Sequence, residues 1–340
     1  MDMKAFVLAA GAGTRLRPLT YDMPKPMIPI ADKPVLHHTL NNLKKYGFDN
    51  VCINLFYCPI SITSYFNTNY MDININYSLE KKLLGTAGAI KKREKFLDET
   101  FIVMSGDGLT DIDLEKVLAF HKKKKALATM VLKKIDAKLE YGVTIADKDG
   151  KVKKFVEKPK WSDIFSDTVN TGIYIFEPEV FKYIPKNKFF DFSMDLFPLL
   201  LKNKKKIYAY AMEEYWTDIG NIFEYKKGVF DALDGKVKID MPGGKNKSGY
   251  ISKYAKIDKT AKIKGPCFIG DNVYIGKNSV INPYSVISGN VQIEDNCITE
   301  RTVIWSGSHI GKNSKLSNTI VGCGCKIYDG ITLFDSIIMS

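Results

Sequence analysis

Cationic side chains and glycines crowd together near the start of the chain. In AFVLAAGAGTRLRPLTYDMPKPMIPI, residues 5–30, an apolar run ends at Gly11 and Gly13. Thr14, Arg15, Arg17 and Lys25 follow, the lysine held between Pro24 and Pro26. Glycines let backbone N–H groups approach a phosphate closely, and prolines stiffen the backbone around the lysine. Fixed cations beside an amide-rich loop suit a polyphosphate. Two familiar glycine motifs do not fit. Walker A demands Gly-Lys-Ser/Thr, whereas Thr14-Arg15-Leu16 follows Gly13, and a dinucleotide fingerprint needs a third glycine where Leu16 stands. A carboxylate, Asp107, comes directly after a second apolar run, FIVMSG, and is expected at the carboxyl end of a strand. In open α/β sheets ligands bind beyond such ends.

The elements that must carry these residues alternate. KAFVLAA, NVCINLF, ININYS, TFIVMSG, ALATMVL and KIYAYAM read as strands; PVLHHTLNNLKKYG, DLEKVLAFHKKK and NIFEYKKGVFDAL read as helices. Strand–helix alternation predicts an α/β domain with a mostly parallel sheet covered on both faces. YGVTIADKDGKVKKFVEKP adds a hairpin turning at Asp149-Gly150. Glycine, lysine and Pro242 make 236–250 a linker. Beyond it isoleucine recurs every sixth residue, at 251, 257, 263, 269, 275, 281, 287 and 293. The phase then slips by one to Ile298, Ile304, Ile310 and Leu316, and again to Val321 and Ile327. A six-residue period belongs to hexapeptide β-helix coils, in which each coil buries its isoleucine against its neighbours. Cys267 and Cys297 fall on small inward positions. The expected domains are therefore 1–235, the α/β domain, and 251–340, a left-handed β-helix.

Composition narrows the classes. The 340 residues are 45% hydrophobic, as expected of a core-forming protein, and no apolar run is long enough for a bilayer. Six scattered cysteines give no disulfide framework, so a cytoplasmic setting is the expectation. The net charge of +12 invites nucleic acid. Its densest runs, HKKKKA and KNKKK, follow amphipathic helical stretches, where cations suit the helix end. Neither a nucleic-acid nor a membrane partner is expected. His37 and His38 have no metal spacing and read as structural.

With five spaced stretches the resemblance becomes specific. GAGTRLRPLT with PKPM, LLGTAGA (83–89), SGDGLTD (105–111), FVEKP (155–159) with VNTGIYIF (169–176), and YWTDIG (215–220) resemble, in order, the motifs of the sugar-1-phosphate nucleotidylyltransferases. The likeness is greatest to the mannose-1-phosphate guanylyltransferase branch, and the hexapeptide tail also occurs in the family. The resemblance implies an enzyme that joins a sugar 1-phosphate to a nucleoside triphosphate and releases pyrophosphate. It implies that Asp107 and Asp218 hold Mg²⁺, and that Arg15 and Lys25 contact the triphosphate. Leu8, Ala10, Gly11, Gly13, Thr14, Glu80, Gly85 and Thr86 would complete the nucleotide site. Lys158 would hold the sugar phosphate, with Gly142, Glu157, Asn170 and Thr171 lining the sugar pocket. Thr171 stands where many relatives carry alanine. Asp111 and Asp113 read as caps of the following helix.

The base is read from position 80. Uridylyl- and thymidylyltransferases of the family carry a glutamine five residues before the glycine of this loop, and here Glu80 precedes Gly85 by five. A carboxylate only accepts, which suits the two adjacent donors of guanine. GTP and mannose 1-phosphate are the expected substrates; a glucose-1-phosphate thymidylyl- or uridylyltransferase is the alternative. A catalytically silent nucleotide-sugar sensor should have lost phosphate or metal residues, and Arg15, Lys25, Asp107, Lys158 and Asp218 are all present. Acyl transfer by the coils would want a general-base histidine; His309 is the only one there, and no long loop frames an acceptor site. The coils are instead expected to serve homo-oligomer assembly, because ITLFDSIIMS ends on apolar residues that another subunit or further chain would cover.

Overall fold

The computed structural model describes residues 3–134, 143–147, 149–156 and 168–340. The chain forms two compact units. One comprises Met1–Gly13, Met23–Met27 and Val35–Ile219; the other comprises Thr14–Asp22, Ile28–Pro34 and Gly220–Ser340.

In chain order the elements are β1 (Lys4–Leu8), β2 (Pro29–Ile30), β3 (Lys33–Pro34), α1 (Val35–Lys45), β4 (Asn50–Leu55), α2 (Pro59–Phe66), β5 (Asn69–Tyr70), β6 (Ile73–Leu79) and α3 (Gly85–Lys91). There follow β7 (Phe101–Ser105), β8 (Gly108–Thr110), α4 (Leu114–Lys124), β9 (Ala128–Lys134), β10 (Val143–Ala146), β11 (Val152–Val156), β12 (Thr168–Phe176), α5 (Phe197–Lys202), β13 (Ile207–Met212), β14 (Trp216–Asp218) and α6 (Ile222–Leu233).

The first unit is built on a sheet whose central strands β6, β4, β1 and β7 run parallel. Strand β12 joins β7 antiparallel, and β13 joins β9 parallel. Strands β10 and β11 form the expected hairpin, with Gly150 in the left-handed region at φ 80°. Strand β1 is apolar because both its faces are covered: Ala5 and Val7 pack into one core with Leu36, Leu40 and Ile53, while Phe6 packs into the other with Ile90, Phe101 and Val103. Register brings Leu8 level with Asn54 on one side and Ser105 on the other. The glycine loop, Asn54 and the segment carrying Asp107 thus share the carboxyl edge.

The second unit contains a parallel β-helix. Its strands stack as three sheets of seven, five and five strands, consistent with the left-handed coils expected. Residues pair with those 18 further on, as Ile257 does with Ile275 and Ile275 with Ile293. Ile275, Ile281, Ile287, Ile293, Ile304 and Ile310 are fully buried. One sequence reading needs correction. The inward residue after Ile293 is not Ile298 but Thr299, which pairs with Ile281 and is fully buried, while Ile298 is only partly so. The slip therefore falls after Thr299. Spacing alone favours isoleucine, but Thr299 has a polar partner inside the stack: its Oγ1 lies 3.0 Å from Ser285 Oγ. From here residues pair 17 apart, as Ile287 does with Ile304. The stretch read as a linker adds an antiparallel hairpin, Gly244–Asn246 with Gly249–Ile251, to one sheet.

The lost residue comes out of one corner. Tyr284, Arg301, Asn318 and Asp335 occupy that corner in successive coils, each left-handed. Helix α6 packs along them. The Phe230 ring lies 5.2 Å from that of Tyr284, tilted by 56°, the Arg301 guanidinium lies 4.8 Å from the Phe230 ring, and Lys226 Nζ donates to Asn318 O at 2.6 Å. A cavity of about 630 Å³ runs beside these residues. It contains none of the residues singled out from the sequence.

Candidate active site

Two carboxylates meet on one ammonium. Lys25 Nζ lies 2.7 Å from Asp107 Oδ2 and 2.7 Å from Asp218 Oδ1. Asp107 and Asp218 lie far apart in sequence; the antiparallel ladder of β8 with β14 unites them by placing Asp218 opposite Gly108. Thr110 Oγ1 donates to Tyr215 O, and Trp216 Nε1 donates to Thr171 O at 3.1 Å, fixing β14 from both sides. Asp107 also accepts from Ser105 Oγ. Burial works against both charges, and the ion pairs outweigh it. The two carboxylates hold the Lys25 ammonium above its usual pKa, and Lys25 holds the Asp107 carboxyl below the usual carboxylate range.

The cation between the two carboxylates tests whether a metal would fit. Two hard oxygens from separate elements already converge on a single positive point. That is the donor set Mg²⁺ takes, with phosphate oxygens and water completing its shell. Among the described residues no group of three or more His, Cys, Asp or Glu gathers, here or elsewhere, so the two aspartates are the whole protein donor set of this candidate.

Glu80 is buried and not a solvated charge. Its Oε1 accepts from Asn54 Nδ2 at 2.8 Å and its Oε2 from Leu84 N at 2.9 Å, while Asn54 Oδ1 accepts from Ala9 N at 2.8 Å. One relay thus ties the end of β1 to Leu84, the N-cap of α3. Sequence reasoning missed Asn54; the signal was a polar residue inside the apolar strand NVCINLF. Gly85 is obligatory, since at its φ of +73° a Cβ would lie 2.5 Å from Phe190 O. Thr86 Oγ1 donates to Asp191 Oδ2 and accepts from Phe192 N.

Asn170 Nδ2 donates to Tyr174 Oη at 2.7 Å, and its Oδ1 accepts from Gly172 N. Thr171 is buried, with Oγ1 on Val131 O. Leu8 ends β1; Ala10 is buried and Gly11 exposed; Gly13 is left-handed at φ 61°. Thr14 and Arg15 are exposed in a short 3-10 turn that belongs to the second unit. Gly142, Glu157 and Lys158 lie outside the described residues. Asp113 caps α4 as expected, accepting from Lys116 N. The N-cap place is taken by Asp113, and Asp111 Oδ1 accepts from Tyr215 N at 2.9 Å, on the backbone entering β14.

A glycine loop, an ammonium and paired carboxylates at the carboxyl edge of parallel strands define a nucleotide-handling α/β protein carrying a β-helix. A profile described as Nucleotidyl transferase matches residues 4–234, and one described as GMPPB C-terminal domain matches 263–340. The chain belongs to the nucleotidyl transferase family of enzymes. It is 40% identical over 263 residues to a UTP–glucose-1-phosphate uridylyltransferase of Synechocystis sp., covering 73% of this chain and 68% of that one. It is 34% identical over 237 residues to a mannose-1-phosphate guanylyltransferase of Mycobacterium tuberculosis, covering 69% and 66%. The crystal structure of HddC from Yersinia pseudotuberculosis superposes with a TM-score of 0.59 at 29% identity, covering 67% of this chain and 98% of that one. The matched stretch spans about two thirds of the length of these curated relatives. No helix among the described residues is long and apolar enough to cross a membrane.

Proposed function

We propose that the chain is a sugar-1-phosphate nucleotidylyltransferase that takes GTP and mannose 1-phosphate. The observation that carries the reaction class is the convergence of Asp107 and Asp218 on Lys25 at the carboxyl edge. A sugar phosphate oxygen attacks the α-phosphorus, the new P–O bond forms in line, and the bond to the β-phosphate breaks to release pyrophosphate. The substrate supplies the nucleophile, so the protein's work is positioning and charge neutralisation. The backbone of Gly11 and Gly13 accommodates phosphate oxygens. Arg15 and Lys25 take up charge on the departing pyrophosphate, and Lys158 holds the sugar phosphate. Asp107 and Asp218 would hold Mg²⁺, which when bound polarises the phosphate oxygens. Lys25 must then leave the carboxylate pair for a phosphate oxygen. Residues 1–235 carry this chemistry, and the coils of 251–340 serve assembly.

For the base, Glu80 supports guanine through the lone pairs its oxygens retain beside the start of α3. A second reading, UTP with glucose 1-phosphate, is favoured by the relative from Synechocystis. Pyrophosphate release with each triphosphate against mannose and glucose 1-phosphates, with and without Mg²⁺, decides. The proposal expects the highest kcat/KM with GTP and mannose 1-phosphate. Preference for UTP replaces it with the second reading, and no release from any pair removes the reaction class.

A further inference from the structure

The hairpin of β2 and β3 begins two residues after Met27, at the end of the turn that carries Lys25. Its turn is Ala31-Asp32, and Ala31 stands at φ 58°, a left-handed conformation that a side chain disfavours. Such a conformation persists where its surroundings over-determine it, and here three anchors do so. The Tyr225 hydroxyl of α6 donates to Pro29 O at 3.0 Å and accepts from Trp305 Nε1 at 2.9 Å; both rings are buried. Ser288 Oγ donates to Ala31 O at 3.0 Å. Asp32 Oδ1 accepts from Gly289 N at 3.1 Å and from Ser306 Oγ at 3.3 Å. Two of these anchors come from the coils alone, and the third joins α6 to a coil tryptophan.

A repeat domain serving only assembly has no need to grip a hairpin inserted from residues 28–34. We propose that the β-helix, with α6, is a clasp that sets the conformation of the Lys25 loop, and that Asp32 is a positioning residue for the reaction. The consequence for turnover rests on the reading of Lys25 given above; the clasp itself does not.

The test uses the full chain. Asp32→Ala removes the acceptor, whereas Asp32→Asn keeps an Oδ1 for Gly289 N and Ser306 Oγ. Two readouts are taken: hydrogen–deuterium exchange over residues 23–34, and steady-state constants for each substrate. Asp32→Ala is expected to exchange faster there and to lose about tenfold or more in kcat/KM for the triphosphate, with KM for the sugar phosphate little changed. Asp32→Asn is expected to restore both readouts. Unchanged exchange over 23–34 in Asp32→Ala overturns the clasp, as does an Asn variant as impaired as the Ala variant. Lys25→Ala, assayed alongside, separates the two ideas. If it handles triphosphate normally, the role of Lys25 fails, while the exchange result still judges the clasp.

Discussion

Lys25 is almost enclosed, and its ammonium touches both carboxylates, so the three charges stand or fall together. Replacing Asp107 or Asp218 by Asn should cost turnover at least about 10²-fold, the scale of losing one charge-stabilising group. Turnover near wild type in both variants, measured by pyrophosphate release, would remove them from the site. Lys25→Ala leaves two acidic groups facing each other across a vacated position. Mg²⁺ should therefore raise its melting temperature more than it raises that of the unaltered chain. At position 80 the hydrogen-bond polarity is fixed along Ala9 N–H, Asn54 and Glu80, ending on an oxygen that must accept. In Glu80→Gln an amide nitrogen has to face a donor. The variant should lose roughly 1–3 kcal/mol of stability in chemical denaturation, whatever happens to base preference. Lys25, Asp107, Asp218 and Glu80 were legible in the sequence, and the resemblance already joined the two aspartates. Asn54 and the contact of Lys25 with both carboxylates were not, because the Asn54 relay and the β8–β14 ladder join positions far apart along the chain.

Among the elements, the parallel core strands, most helices and the Asp149-Gly150 hairpin follow from periodicity and turn residues. What spacing could not show was how loops lean on one another. The first turn of α3 passes so close to Phe190 that Ala87 N and Gly88 N both donate to its carbonyl. Gly85→Ala should accordingly destabilise by more than the usual ~1 kcal/mol of a glycine substitution, since backbone as well as a side chain must move. A flat thermal melt for that variant would contradict the contact. Helix α4 offers a pH test. Burial lowers the His121 pKa, against the pull of Glu177, so the folded protein favours the neutral ring over the protonated one. The contribution is full above the unfolded value of about 6.5 and declines as pH falls toward the lower folded value. Denaturant midpoints measured between pH 7 and 5 should fall for the unaltered chain, and less steeply for His121→Gln.

At the scale of the molecule the six-residue period announced the β-helix, but not the coil at which a polar residue takes the inward place. Thr299 was invisible to an apolar pattern, and only the pairing with Ile281 reveals it. Burial also varies along the stack, and stability should follow it. Ile287→Ala, at a fully buried position with coils on both sides, should cost about 2–5 kcal/mol. Ile257→Ala, only partly buried in an early coil, should cost distinctly less in the same denaturation experiment. The corner of left-handed residues that receives α6 adds a constraint of another kind. Coils recur about every 4.8 Å, and three residues of a helix advance about 4.5 Å. The two scales meet at unequal steps: Lys226 and Phe230, four residues or about 6 Å apart along α6, reach Asn318 and Tyr284, which lie two coils or about 9.6 Å apart, and the side chains take up the difference. Inserting or deleting one coil between those corners would shift one scale by three helical residues, which turns the helix about 60° short of a full revolution. A different face of α6 would then meet the corner, so the number of coils cannot vary here without the helix sequence varying with it.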